Sequence, residues 1–444
     1  MATLPAPSQR IDEQLLRAIG VLGLAANIVN TTVGASIFKL PADMSKQLGG
    51  AAPLAFVVCA VAMAFFVTSF ALAGSRVSLT GGLYAYAELA FGRYVGFMTG
   101  LFFYTTAVLS VAAVVNFFSG TVVALLPSLD GTWGHVLLLF VVYAGLAAIN
   151  VRGVRAGTGA VGIVTIAKLM PLLILVAVGL FFIKAENLTW PGWPGTDSLG
   201  HSVLLLLFAF FGIEVALIPS GEVKNPARTV PRAIYLALAL TTVLYLLIQL
   251  VAQGTLGPRL GQETNAPLAA AAATFLGRAG MLLLLAGATI SGFGFIASDI
   301  LSSPRILFAL GRDGILPRSL THVHPRYRTP DVAIIVYSGL AFLFSLTSTF
   351  EALAVMANVA ALLLYLVCCA AAFVLIRRDV RTDEKPFDFP GAQIVPLISI
   401  VIILWILAQA TSREFKIAGV VFLIGTVLYL IRKALPSRSN SASA

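Results

Sequence analysis

Residues 31–41 read TTVGASIFKLP and residues 208–219 read FAFFGIEVALIP, and each stretch lies in a long apolar run. In the first, Thr31, Thr32, Gly34, Ala35 and Ser36 are small or hydroxylated, with Lys39 and Pro41 close behind. In the second, Gly212 and Glu214 sit among phenylalanines, and Pro219 follows within two turns. Residues of these kinds loosen a helix. In hydrocarbon a loosened backbone is expensive unless it lines a cavity or meets a partner. Taken singly, either stretch is equally a place where glycine lets neighbouring helices approach. As a matched pair they point to a solute site between two repeats of opposite orientation.

The runs around them place both stretches in a membrane. Of 444 residues, 59% are hydrophobic and 11% charged, against about 25% charged in a soluble domain. Mean hydropathy is +0.96. A crossing helix needs about 20 apolar residues. Twelve runs qualify, near 17–40, 52–74, 94–126, 133–151, 156–183, 199–220, 231–256, 279–305, 331–349, 352–376, 392–410 and 414–432. The two loosened stretches fall in the first and the sixth. The expected fold is therefore an all-α polytopic membrane protein with 12 transmembrane helices. Residues 17–183 and 199–376 form a 5+5 inverted repeat, and 392–432 adds two helices. A segment over 1–16 and a tail over 433–444 flank them.

Charge orients the chain. Seven basic residues (Lys39, Lys46, Lys184, Arg259, Arg278, Arg413 and Lys416) follow odd-numbered runs, Lys168 lies mid-run, and the remaining 21 of 29 lie at the termini or after even-numbered runs. The bias of Lys and Arg towards cytoplasmic loops places both termini inside. Trp133, Trp190 and Trp193 then fall at the outer interface. The net charge of +10 belongs to these loops, so no nucleic-acid partner is expected. Residues 1–15 lack the order of a cleavable signal, which suits a bacterial inner membrane. Cys59, Cys368 and Cys369 lie in apolar runs with neither disulfide nor zinc spacing.

A pair of broken helices suits one class of solute. Free amides at a half-helix start attract a carboxylate, and free carbonyls at a half-helix end attract an ammonium. An α-amino acid carries both.

At these residues the chain resembles the amino acid–polyamine–organocation superfamily of transporters. Gly34-Ala35-Ser36-Ile37-Phe38 is similar to that family's first-span motif, with Ser36 where glycine is usual. Thr80 to Tyr86 resembles its loop before the third span. Phe208 to Glu214 followed by Gly221 to Pro226 resembles its sixth span and the loop after it. Arg305 to Pro317 is similar to the inner end of its eighth span. The resemblance implies the inverted-repeat fold shared with sodium-coupled amino acid transporters, and alternating access. It also implies that the amides of Gly34, Ala35 and Ser36 hold the solute carboxylate. Carbonyls of Thr32, Phe208 and Phe211 would hold its ammonium, and Phe208 would gate the site; ordinary aromatic packing is the competing role for Phe208. The Ser36 side chain narrows the carboxylate's approach.

Three ionisable residues lie at membrane depth, where such groups are functional suspects. Lys168 is about a dozen residues from either end of its run, far for a lysine to snorkel out. It resembles the fifth-span lysine of sodium-independent relatives, whose ammonium takes the place of a sodium ion. Asp299 stands where many relatives have serine, so a Lys168–Asp299 ion pair is expected, with pairing to Arg305 or water as the alternative. Glu214 is similar to a proposed proton carrier, and local hydrogen bonding is its alternative. Glu222, beside Lys224, reads as a solvated loop charge.

Other classes fit less well. The histidines (His135, His201, His322 and His324) form no His-Glu-x-x-His motif, so a zinc protease is not expected. No cofactor is expected. A channel favours rings of like residues. A nutrient sensor sharing the site stays open. The expected function is sodium-independent, proton-linked transport of an amino acid. Tyr104, Val108, Phe295 and Ala357 as walls favour a neutral side chain. A cationic amino acid or polyamine is the alternative should Asp299 or Glu214 reach the pocket.

Overall fold

The computed structural model describes residues 20–77, 83–153, 158–190, 192–214, 223, 225–312, 316–380 and 386–434, with backbone alone for 158–165, 226, 227, 433 and 434. Among the described residues the chain forms fifteen α-helices joined by 3-10 turns and loops, with no strand paired into a sheet. They are α1 (Val21–Thr32), α2 (Leu40–Leu48), α3 (Ala52–Gly74), α4 (Leu83–Phe91) and α5 (Arg93–Leu125). Next come α6 (Thr132–Arg152), α7 (Thr158–Gly179), α8 (Thr196–Leu206), α9 (Pro226–Leu256) and α10 (Pro267–Ser302). The last are α11 (Pro304–Arg312), α12 (Asp331–Thr347), α13 (Phe350–Arg377), α14 (Ile394–Leu407) and α15 (Ser412–Ala434).

Among the described residues, seven helical stretches are long and apolar enough to cross a bilayer, and five shorter apolar helices accompany them. Two of the short ones, Val21–Thr32 and Thr196–Phe210, are short because they stop at the two loosened stretches. The most apolar stretches of α5 and α13 are each 67% buried and form the centre, whereas that of α15 is 6% buried and lies at the rim. Exposed Leu137 and Phe140 on α6, Ile335 and Leu343 on α12, and Val420 and Leu423 on α15 would aggregate in water. In a bilayer they face lipid.

At the first break Val33 N–H still reaches Val29 O at 2.8 Å, but ψ then turns to 86° and α1 ends. A 3-10 turn over Ser36–Phe38 leads into α2, whose first turn holds Pro41. The first run was expected to end near residue 40; helix instead resumes there and continues to Leu48. Proline is compatible with a helical first turn, where its missing N–H loses no bond. Pro267–Ser302 is likewise two helical segments that meet at Gly277 (φ 61°, ψ −151°), and the expected start near 279 falls just past that kink.

The second break follows α8 and a 3-10 turn over Leu207–Phe210. Phe211 is extended, and Gly212 takes φ 103°. A Cβ at Gly212 would lie 3.0 Å from Thr31 Cγ2 and 3.1 Å from Thr31 C. Glycine therefore serves twice here, through its positive φ and through the approach of one break to the other. Gly212→Ala is expected to destabilise the fold by about 1–3 kcal/mol, seen as a lowered melting temperature in detergent.

Candidate functional site

The hydrogen-bond inventory of the two breaks defines the site. Among the described residues, the amides of Gly34, Ala35 and Ser36 find no acceptor; the next amide that does is Phe38, on Ala35 O at 3.2 Å. The carbonyls are in the opposite condition. Lys168 Nζ donates to Asn30 O in the last turn of α1. The Tyr245 hydroxyl lies 3.0 Å from Thr32 O and 2.9 Å from Ala209 O, shared between the two breaks. Asn358 Nδ2 meets Leu204 O at 2.5 Å and Leu205 O at 3.1 Å. The carbonyls of Asn30, Thr32, Leu204, Leu205 and Ala209, at or just before the breaks, are thus met by the protein's own donors, while among the described residues the amides of Gly34, Ala35 and Ser36 have no acceptor.

Tyr245 and Asn358 were not foreseen. The signal for Tyr245 was present in the chain: Thr241, Tyr245, Gln249 and Gln253 recur every four residues in an apolar helix, and all four are buried. Four-residue spacing puts them on one face of α9. Tyr245→Phe removes one hydroxyl and leaves Thr32 O and Ala209 O short of a donor, which costs about 1–3 kcal/mol. We expect a lower melting temperature together with slower solute exchange.

Aromatic rings close the space beside the second break. The Phe208 ring lies 5.8 Å from Phe350 at 90° and 5.7 Å from Phe211. Phe350 also packs on Phe117 at 6.2 Å, and Phe211 on Tyr365 at 6.4 Å. Phe208 is buried in this cluster. Of the expected walls, Tyr104, Val108 and Ala357 are buried and Phe295 is partly so.

The two membrane acids are not brought to Lys168. Asp299 accepts from the Tyr337 hydroxyl and from Ser303 Oγ, the latter at 2.8 Å. The expected Lys168–Asp299 pair is therefore not formed, nor is one with Arg305. The reason is rotational: Asp299 turns towards α12, while Lys168 reaches α1. Glu214 folds back on its own break, with Gly212 N–H donating to Oε2 at 3.1 Å. The Tyr365 hydroxyl stands beside that carboxylate but outside hydrogen-bond geometry. Glu222 and Lys224 lie outside the described residues, as do Thr80 to Gly82, Asp313 to Ile315 and the segments 1–19 and 435–444.

The amino acid permease family profile matches residues 19–429, nearly the whole chain. The chain belongs to the amino acid permease family. It is a multi-pass membrane protein of that class. The permease is 25% identical to the branched-chain amino acid permease BcaP of Bacillus subtilis, over 97% of this chain and 96% of that one. It is 27% identical to the serine/threonine exchanger SteT of the same organism, over 93% and 95%. A methylthioribose transporter, also from Bacillus subtilis, is 26% identical over 97% and 96%.

One further cluster lies just past the first break of the permease. Lys39 Nζ donates to Thr264 O at 2.6 Å and stands 3.5 Å from both Asp43 Oδ1 and Glu351 Oε1. It joins α2, the segment before α10 and the first turn of α13, next to Phe350. In the sequence Lys39 stands just behind the first break and among the basic residues that follow odd-numbered runs. Nothing in its local sequence names Thr264 or Glu351 as partners.

Proposed function

We propose that this permease is a secondary active transporter of α-amino acids, sodium-independent and proton-coupled, acting as a symporter or exchanger by alternating access. Its site is the gap between the two breaks. The amides of Gly34, Ala35 and Ser36 receive the solute carboxylate, and the Thr32, Phe208 and Phe211 carbonyls receive the ammonium. Phe208 gates the site. One observation carries this reading: a row of unmet amides at one break follows directly on Thr31 and Thr32, where Gly212 and Tyr245 hold the second break against it. Unmet amides in hydrocarbon are costly, and a carboxylate relieves that cost.

The ammonium of Lys168 on Asn30 O supports sodium independence, because a tethered cation already occupies the end of α1. Lys168, Asp299 and Glu214 are the candidates for proton coupling. Asp299 and Glu214 each already accept a hydroxyl or amide, and apolar walls surround the gap, so a neutral side chain is favoured. The reading takes the chain as twelve spans, two inverted repeats of five plus two, in the plasma membrane with both termini cytoplasmic.

The test is uptake into liposomes of labelled leucine, alanine, arginine and putrescine, with and without an imposed pH gradient. Leucine or alanine uptake driven by the gradient, indifferent to sodium, is the expected result. Arginine or putrescine uptake alone would overturn the neutral preference. Binding without counterflow of any of the four would make the chain a sensor.

A further inference from the structure

The loop between α11 and α12 ends in a compact turn built around His324. The His324 amide donates to Thr329 O at 2.9 Å, and its carbonyl accepts from Arg328 N at 2.9 Å. Its Nδ1 accepts from Arg326 N at 3.2 Å and from Tyr327 N at 3.3 Å. The turn is fastened to the end of α6, where Thr329 Oγ1 donates to Val151 O at 2.6 Å. Tyr327 O and Thr329 also stand over Gly153. This brings Arg326 and Arg328 to the same rim as Arg152, and all three are exposed. Arg328 takes φ 58°, a conformation that costs a non-glycine residue free energy and tends to mark a functional constraint. The acid in this turn, Asp331, is already met by His322 Nδ1 at 2.7 Å.

The surroundings say what such a rim would meet. The two helices it joins present exposed apolar side chains along their length, Val141 and Ile149 on α6 and Ile335 and Leu343 on α12. The arginines therefore stand where the lipid-facing surface of α6 and α12 ends, at headgroup level. Val323, exposed in the same turn, adds an apolar contact at that depth. We infer that Arg152, Arg326 and Arg328 form a binding site for the phosphate of an anionic phospholipid, whose acyl chains lie along α6 and α12. Guanidinium groups suit phosphate because their planar donors can bind it in pairs. The site is remote from the two breaks and does not depend on which amino acid is carried or on which way the chain faces.

Purified full-length protein in detergent, titrated with fluorescent phosphatidylglycerol and with phosphatidylcholine, tests this. Wild type is expected to bind phosphatidylglycerol preferentially, with affinity falling roughly fivefold for each arginine replaced in the series R152Q, R326Q and R328Q. Unchanged melting temperatures without added lipid would confirm that the variants fold; a variant that does not fold is replaced by the corresponding lysine substitution, expected to lose less. Equal binding of the two lipids, or phosphatidylglycerol binding untouched in the triple variant, overturns the proposal. So does displacement of phosphatidylglycerol by inorganic phosphate, which would make the ligand a free anion.

Discussion

Lys39→Met is expected to destabilise the permease by about 3–5 kcal/mol, because it removes one partner from a buried ion pair. The Lys39 and Asp43 side chains are 9% and 7% exposed. Methionine keeps most of the stem, so lost packing is minor and the effect reports on charge. What remains is an Asp43 carboxylate whose Oδ2 has no hydrogen-bond partner even in the wild type, now without the cation at Oδ1. Thr264 O loses its donor as well. Glu351, 45% exposed, adds little, since solvent-screened pairs contribute under about 1 kcal/mol. Thermal unfolding in detergent measures the loss. Adding Asp43→Leu to Lys39→Met is expected to recover most of it, because an apolar pair of similar volume is tolerated where a lone charge is not. A single variant as stable as wild type would show that Lys39 does not hold these segments together.

Lys168→Met is expected to cut solute exchange by roughly five- to 150-fold, corresponding to about 1–3 kcal/mol. The ammonium is the donor to Asn30 O in the last turn of α1, so its loss frees the half-helix that leads into the proposed site. Lys168→Arg should fall between the two, because a planar fork replaces a compact, rotatable ammonium. Counterflow of the amino acid identified by the uptake panel measures both. The partner assignment can be checked directly: with Lys168 bonded to α1 and Asp299 to α12, the effects of Lys168→Met and Asp299→Asn should add in a double-mutant cycle. Strong coupling between them would restore the ion pair that the geometry denies.

These residues also separate what could be read locally from what could not. The helical, membrane-spanning class and the two breaks were legible because they follow from backbone physics that acts over a few residues. Apolar runs bury themselves in lipid. Gly34, with its small and hydroxylated neighbours, and Gly212, among phenylalanines, weaken the helix wherever they occur. The place of Lys168 midway along an apolar helix was legible for the same reason, from its distance to the ends of its run.

Which group meets which was not. Lys168 bonds a carbonyl 138 positions earlier in the chain, Lys39 one 225 positions later, and Asp299 the hydroxyl of Tyr337, 38 positions on. A helix of known length can still be turned about its axis. A rotation of one residue, 100°, sends a side chain to a different neighbour. That rotation is set by packing against several helices at once, such as the approach of Gly212 to Thr31. The chain by itself therefore determined where the backbone opens. Tertiary packing alone decided which carbonyls are already satisfied, which amides remain free, and that the half-buried Lys168 serves the broken helix and not Asp299.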